Sequence, residues 1–263
     1  MESREIKIKN RAGKFLFCRI DGIVPGKTAP AVLVVHGFKG NSSERHIRAI
    51  SDALINAGFL TCRPDLTKNP GRSYLPFEDM TYSQELLDIE DVFDYLLNLP
   101  NVDKSRIGVT GHSLGGMLAA ELASKKTEIK SLATLSAVYD YAKVIEKSFK
   151  RSLGEIKKDF KKKGWTYTWS TTLNNYLKIK QEFYKDIIER TAADFCSRIT
   201  CPTLVISSGD DGSVNQSHAD RYIKTLGSKT KKMEIIEGAD HIYSGQSLDK
   251  VARFVADWFV ETL

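Results

Sequence analysis

Residues 106–122 read RIGVTGHSLGGMLAAEL. The first five carry the short apolar character of a buried strand, and the residues from Ser113 to Lys125 carry apolar positions at helical spacing. Between them lies Gly111-His112-Ser113-Leu114-Gly115, a Gly-x-Ser-x-Gly pentapeptide followed by Gly116. The pentapeptide alone recurs by accident in chains of this length; its position directly between a strand and a helix gives it meaning. A serine there sits at the apex of a sharp turn. Glycines on either side let strand and helix approach closely, and the helix start favours a developing anion. Ser113 is the candidate nucleophile.

Outward from this turn, short apolar runs at residues 31–35, 60–63, 106–110, 131–135, 203–207 and 232–236 predict strands buried on both faces, as in a parallel sheet. Amphipathic helices are predicted between them at 44–57, 82–99, 113–125, 217–226 and 248–263. A period-two pair at 5–8 and 14–20, turning at residues 11–13, predicts two antiparallel strands at the start. The alternation implies an α/β sandwich with a mostly parallel sheet. It is interrupted at 142–197, where a Lys-rich helical stretch and a GWTYTW segment replace a short connection. The expected organisation is a core of 1–141 and 198–263 with an inserted cap at 142–197.

The chain has 263 residues, 41% hydrophobic and 27% charged, with 39 basic and 33 acidic side chains and a net charge of +6. This excludes a disordered protein. The start, MESREIKIKN, lacks the apolar stretch of a secretory signal, and the best apolar run, Ala31 to Val35, is too short to span a bilayer. Cys18, Cys62, Cys196 and Cys201 have neither metal-site nor disulfide-framework spacing. Free buried thiols, no zinc or other metal, and a cytoplasmic location are expected.

A serine nucleophile needs a base oriented by a third group. In a sheet of this type the partners follow in the order acid, then histidine, on loops at the carboxyl edge. His241, just past the last strand, is the candidate base, with His218 in reserve. The acid belongs after the strand at 203–207, where Asp210 and Asp211 compete. Asp211 is favoured because its Asp-x-x-Val spacing to Val214 suits a turn toward the histidine, with Asp240 as a weaker contender. The oxyanion cradle needs one N–H from the residue after the nucleophile, Leu114, and one from the loop His36-Gly37-Phe38-Lys39-Gly40, namely that of Phe38. Gly37 permits the close approach, and His36 shapes the loop.

With VLVVHGFKGN, GVTGHSLGGMLA, CPTLVISSGDDGSV and IIEGADHIY in this order, the chain resembles the α/β-hydrolase family over nearly its whole length outside the cap. Within it the chain is similar to compact carboxylesterases of the cinnamoyl and feruloyl ester hydrolase type, which in turn resemble the catalytic domains of prolyl-oligopeptidase-like serine peptidases. The resemblance implies an α/β-hydrolase fold and a serine carboxylesterase without cofactor. Its substrates would be small to medium esters, cinnamoyl-like or feruloyl-like aromatic acyl esters among them. Alternatives are a serine peptidase, a lactonase or a carbon-carbon hydrolase; a noncatalytic receptor on the same fold is disfavoured by retention of all three triad residues. Two departures stand out. Residues 208–211, SGDD, shift the family's usual Gly-Asp-x-Asp pattern by one residue, and residues 63–73 replace a tight Gly-x-Gly turn after Asp65.

Trp165, Tyr167 and Trp169 alternate, so an extended segment places the three rings on one face. They form either a substrate-binding wall or the cap's own small core. Between Lys143 and Lys163 stand nine basic and three acidic residues, which account for the whole net charge. The basicity therefore belongs to the cap, as the solvated face of a helix, and predicts no nucleic-acid partner. A weaker reading has it steer anionic esters. Monomer and homodimer are both compatible with the sequence.

Overall fold

The computed structural model describes residues 1–73 and 76–263. In chain order the regular elements are β1 (Glu2–Lys9), β2 (Phe15–Ile23), β3 (Ala29–Val35), α1 (Arg45–Asn56), β4 (Leu60–Asp65), α2 (Tyr82–Leu97), β5 (Val102–His112), α3 (Leu114–Lys125) and β6 (Ile129–Leu135). Then follow α4 (Ile145–Phe149), α5 (Leu153–Lys163), β7 (Trp165–Ser170), β8 (Asn175–Lys180), α6 (Gln181–Ile187), β9 (Thr203–Ser208), α7 (Ser217–Thr225), β10 (Lys231–Ile236) and α8 (Ser247–Thr262). Eight strands form one sheet in the order β1-β2-β4-β3-β5-β6-β9-β10. β2 runs antiparallel to β1 and β4, and the pairings from β4 through β10 are parallel. This is the α/β-hydrolase fold expected from the sequence.

The apolar runs explain the layers. In β3, Ala31, Leu33 and Val35 join the core on one face with α2 and α3, while Val32 and Val34 join Ile47, Ile50 and Leu54 of α1 and Val251, Val255 and Phe259 of α8 on the other. Each such Val or Leu contributes about 1.5–3 kcal/mol by leaving water. Because β3 and β5 are parallel and in register at Val35 and Gly111, their carboxyl ends finish at one edge. The loops after β3, β5, β9 and β10 therefore gather there. All four cysteines are free thiols. Among the described residues, no helix is long and apolar enough to cross a membrane.

The stretch between β6 and β9 carries α4, α5, the β7-β8 hairpin and α6. Its two ends meet where Asp140 bridges Thr191 and the Ala192 N–H donates to the Tyr139 carbonyl at 2.7 Å. α5 begins with a capping box between Ser152 and Glu155 and stops at Gly164, whose φ of 76° only glycine adopts cheaply. It buries Ile156 and Phe160 and leaves its lysines outward. Salt bridges from Lys178 to Glu78 and from Lys180 to Glu78 and Asp79 fasten β8 to the turn before α2.

Candidate active site

At the end of β5 the chain turns at Ser113, whose φ of 56° and ψ of −120° lie outside the regions open to ordinary residues. Such a conformation costs of order 1–3 kcal/mol and persists only where the surroundings enforce it. Here the Ser113 N–H donates to the Leu135 carbonyl at 2.9 Å, and its own carbonyl accepts from Gly116, Met117 and Val138. The flanking glycines are a steric requirement. A methyl on Gly111 would run into the Gly115 carbonyl, and one on Gly115 into the His36 carbonyl.

His241, on the loop after β10, places Nε2 3.0 Å from Ser113 Oγ and Nδ1 2.7 Å from Asp211 Oδ2. The Asp211 side chain is fully enclosed, and its other oxygen accepts the backbone N–H groups of Ser213 and Val214 at 2.8 and 2.7 Å. Burial pushes this carboxyl up, but the His241 hydrogen bond and the two amides outweigh it and hold the group below the usual carboxylate range. Of the competing acids, Asp210 is exposed and Asp240 accepts the Ser244 N–H instead. His218 is buried and takes the Tyr139 N–H on Nδ1 at 2.9 Å. The structure thus brings Ser113, His241 and Asp211 together and directs the alternatives elsewhere.

A pair of histidines, His46 and His112, backs His241. His112 Nε2 lies 2.7 Å from the His241 carbonyl, so it carries the proton and donates; its Nδ1 then accepts from His46 Nε2 at 3.2 Å. Burial pushes the His46 imidazole down to about 4 and His112 further below its ordinary value, so both stay neutral at pH 7. In the loop after β3, His36 accepts the Leu66 N–H on Nε2 at 3.1 Å and donates from Nδ1 to the Gly37 carbonyl at 2.9 Å, pinning the turn. The departure at residues 63–73 has a structural use. Asp65 accepts the N–H groups of Ser42 and Arg72, and Asn69 accepts the Lys39 N–H.

Phe38 and Leu114 border the same cavity as Ser113 and His241, a space of about 370 Å³. Their backbone N–H groups have no hydrogen-bond partner among the described residues. The Phe38 ring stacks on Phe183 at 5.0 Å and 9°, so α6, in the stretch between β6 and β9, holds the loop that carries this N–H. Lys39 adds a polar tie. At a φ of 65° its ammonium donates to the Ser148 carbonyl, Thr168 Oγ1 and the Trp169 carbonyl, all at 2.8–2.9 Å. Burial, and then Lys150, hold its pKa down to about 7, and burial raises that of the neighbouring Glu44 to about 7.

The sequence of residues 54–263 matches the model of the prolyl oligopeptidase family. The chain belongs to this family. It is 26% identical over 219 residues to a thermostable monoacylglycerol lipase of Bacillus sp. (strain H-257), covering 80% of this chain and 82% of that protein. It is 25% identical over 266 residues to the esterase EstD of Thermotoga maritima, covering 92% of this chain but 60% of EstD. Among solved structures, ferulic acid-bound Est1E from Butyrivibrio proteoclasticus superposes with a TM-score of 0.82 over 98% of both chains, at 27% identity.

On this prolyl oligopeptidase-family scaffold the three aromatic residues of β7 have different surroundings. Trp169 borders the Ser113 cavity; Tyr167 borders a neighbouring one; Trp165 packs edge-on to Tyr167 at 4.9 Å, with the ammonium groups of Lys163 and Lys178 over its ring. The buried face of β7 consists of Thr166, Thr168 and Ser170, so the three rings lie on its other, less buried face. Sequence reasoning missed Lys39, Glu44 and the His46-His112 pair. Lys39 and Glu44 stand in or just after the quoted HGFKGN loop, but only the fold shows that their side chains are enclosed.

Proposed function

We propose that this protein is a serine carboxylesterase acting on small to medium carboxylic esters, aromatic acyl esters included, through an acyl-enzyme on Ser113. The observation that carries the proposal is the unbroken hydrogen-bonded line from Asp211 through His241 to Ser113, opening into a cavity with two backbone N–H groups on its wall. The names of the lipase and esterase relatives and the ferulic acid bound to Est1E support the same reading.

The geometry supplies each step. Ionised Asp211 accepts the Nδ1 proton of His241, which leaves Nε2 free to take the proton of Ser113 Oγ as that oxygen attacks the ester carbonyl carbon. Negative charge collects on the carbonyl oxygen, where the Phe38 and Leu114 N–H groups stabilise it. Collapse breaks the bond to the alkoxide, which leaves with the Nε2 proton. Water then gives a proton to Nε2, attacks the acyl carbon and releases the acid, returning the proton to Ser113. Ser113→Ala is expected to lower kcat for p-nitrophenyl butyrate by about 10⁴-fold or more and to abolish fluorophosphonate labelling. Turnover by that variant at the wild-type rate would refute the mechanism. The family's name keeps a peptidase as the second reading; prolyl p-nitroanilides cleaved faster than p-nitrophenyl esters would favour it.

A further inference from the structure

Lys150 and Trp169 border the Ser113 cavity on one side and a second cavity of about 750 Å³ on the other. One wall of this second space is the β7-β8 hairpin, which is built inside out. Its hydroxyl face is buried and satisfied: Thr166 Oγ1 accepts from Arg151 and donates to Asp159, and Thr168 Oγ1 accepts from Lys39 and donates to the Ser148 carbonyl. Its aromatic face is turned to the cavity. Tyr167, Trp169 and Tyr176 stand edge to face, with centroid separations of 5.0 and 6.4 Å, and Tyr167 and Tyr176 remain 42% and 60% exposed. Large rings held in water forgo the burial that would otherwise be their main contribution, and a contiguous exposed set of them marks a contact surface.

The charged groups around this wall are Lys150, Arg151 and Lys163 against a single carboxylate, Asp159. Asp159 is already engaged by Arg151 at 2.7 Å and Lys163 at 3.2 Å. Lys150, at a left-handed φ of 53° that ends α4, has no acidic partner among the described residues, and neither does Lys147 in the Ser113 cavity. An uncompensated positive charge thus stands at the junction of the two cavities, beside an apolar wall. That combination complements an apolar body ending in an anion.

We propose that the second cavity is a subsite for the end of the ester remote from the scissile bond. That end carries a carboxylate or similar anion, lies across Trp169 with its ring or chain on Tyr167 and Tyr176, and meets Lys150 and Lys163. The substrate class is therefore an anionic ester, a statement that rests on the esterase reading. Two measurements test it. With p-nitrophenyl hydrogen octanedioate and p-nitrophenyl octanoate as a length-matched pair, the ratio of kcat/KM, anionic over neutral, is expected to fall about tenfold in Lys150→Gln/Lys163→Gln, the effect of losing charge-assisted contacts. An unchanged ratio overturns the subsite. Binding is read separately by calorimetry on the Ser113→Ala protein. 4-Phenylbutanoate should bind about tenfold more tightly than 4-phenylbutanol, and the margin should vanish when the two lysine substitutions are added. Equal affinities overturn the proposal even if esters are hydrolysed. Carboxylate-selective binding by a wild-type protein that turns over no ester would sustain the subsite and refute the esterase reading.

Discussion

Strands β3 and β7 both have enclosed faces, yet they enclose opposite kinds of side chain. β3 packs Val, Leu and Ala into apolar clusters on both of its faces. β7 turns Thr166, Thr168 and Ser170 inward and three aromatic rings outward. The layer beneath it contains the Lys39 ammonium and the Arg151-Asp159 pair, and these need hydroxyl partners when enclosed. Which face of a strand goes inside is decided by what lies below it as well as by its own apolarity; an unmet buried charge costs more than an exposed ring.

The largest test of this contrast removes the charge. Lys39→Met leaves three acceptors without their donor and should cost about 3 kcal/mol, a fall in Tm of roughly 6–12 °C. Amide hydrogen exchange should rise first in the β7-β8 hairpin, and kcat should fall because Phe38 is the adjacent residue. An unchanged Tm would mean that the hairpin is inverted for some other reason. A smaller test uses one substitution in two places. Thr134 in β6 is fully buried and its hydroxyl has no partner among the described residues, whereas Thr168 accepts from Lys39 and donates to Ser148. Thr134→Val should be neutral or stabilising by up to about 1 kcal/mol, and Thr168→Val destabilising by about 1–2 kcal/mol. Denaturant midpoints of the two variants moving in the same direction would break the comparison.

The same contrast explains what could be read in advance. The sheet was legible because runs such as residues 31–35 bury both faces, and because Gly111 is dictated by a backbone contact only four residues away, at Gly115; that Gly115 is required by the His36 carbonyl is visible only in the fold. The meeting of Ser113, Asp211 and His241 followed from loop order at the sheet edge. Asp211 could be favoured over Asp210 by pattern; the two amides that fix its carboxylate are visible only in the fold. The alternation of residues 165–170 gave the two faces of β7 but not which one faces inward, since the deciding partner, Lys39, is more than a hundred residues away in sequence. Glu44 was missed for a similar reason. A carboxylate beginning a helix is usually solvated, and the Thr172 hydroxyl that donates to this one comes from the turn between β7 and β8, more than a hundred residues away in sequence.

Glu44 gives the smallest effect and the most direct reading of charge in the Ser113 cavity. Its carboxyl is raised from 4.5 to about 7 chiefly by burial, with the Thr172 hydroxyl only partly offsetting it. The folded state therefore binds more protons than the unfolded state between these two values. Stability from this group is complete below pH 4.5 and is lost as pH rises through 7. Because the side chain keeps 22% exposure, solvent screens part of the cost, and the change across the window should be about 1 kcal/mol. Glu44→Gln lacks this titration. The Tm of the variant minus that of the wild type should grow by roughly 2–4 °C from pH 5 to pH 7. Lys39 does not confound the interval: its pKa, lowered to about 7, makes stability rise with pH only between that value and 10.5. A difference that stays flat from pH 5 to pH 7 would mean that the cavity holds Glu44 ionised throughout. The charge around Ser113 would then be more nearly balanced than the enclosed positions of Lys39 and Glu44 imply.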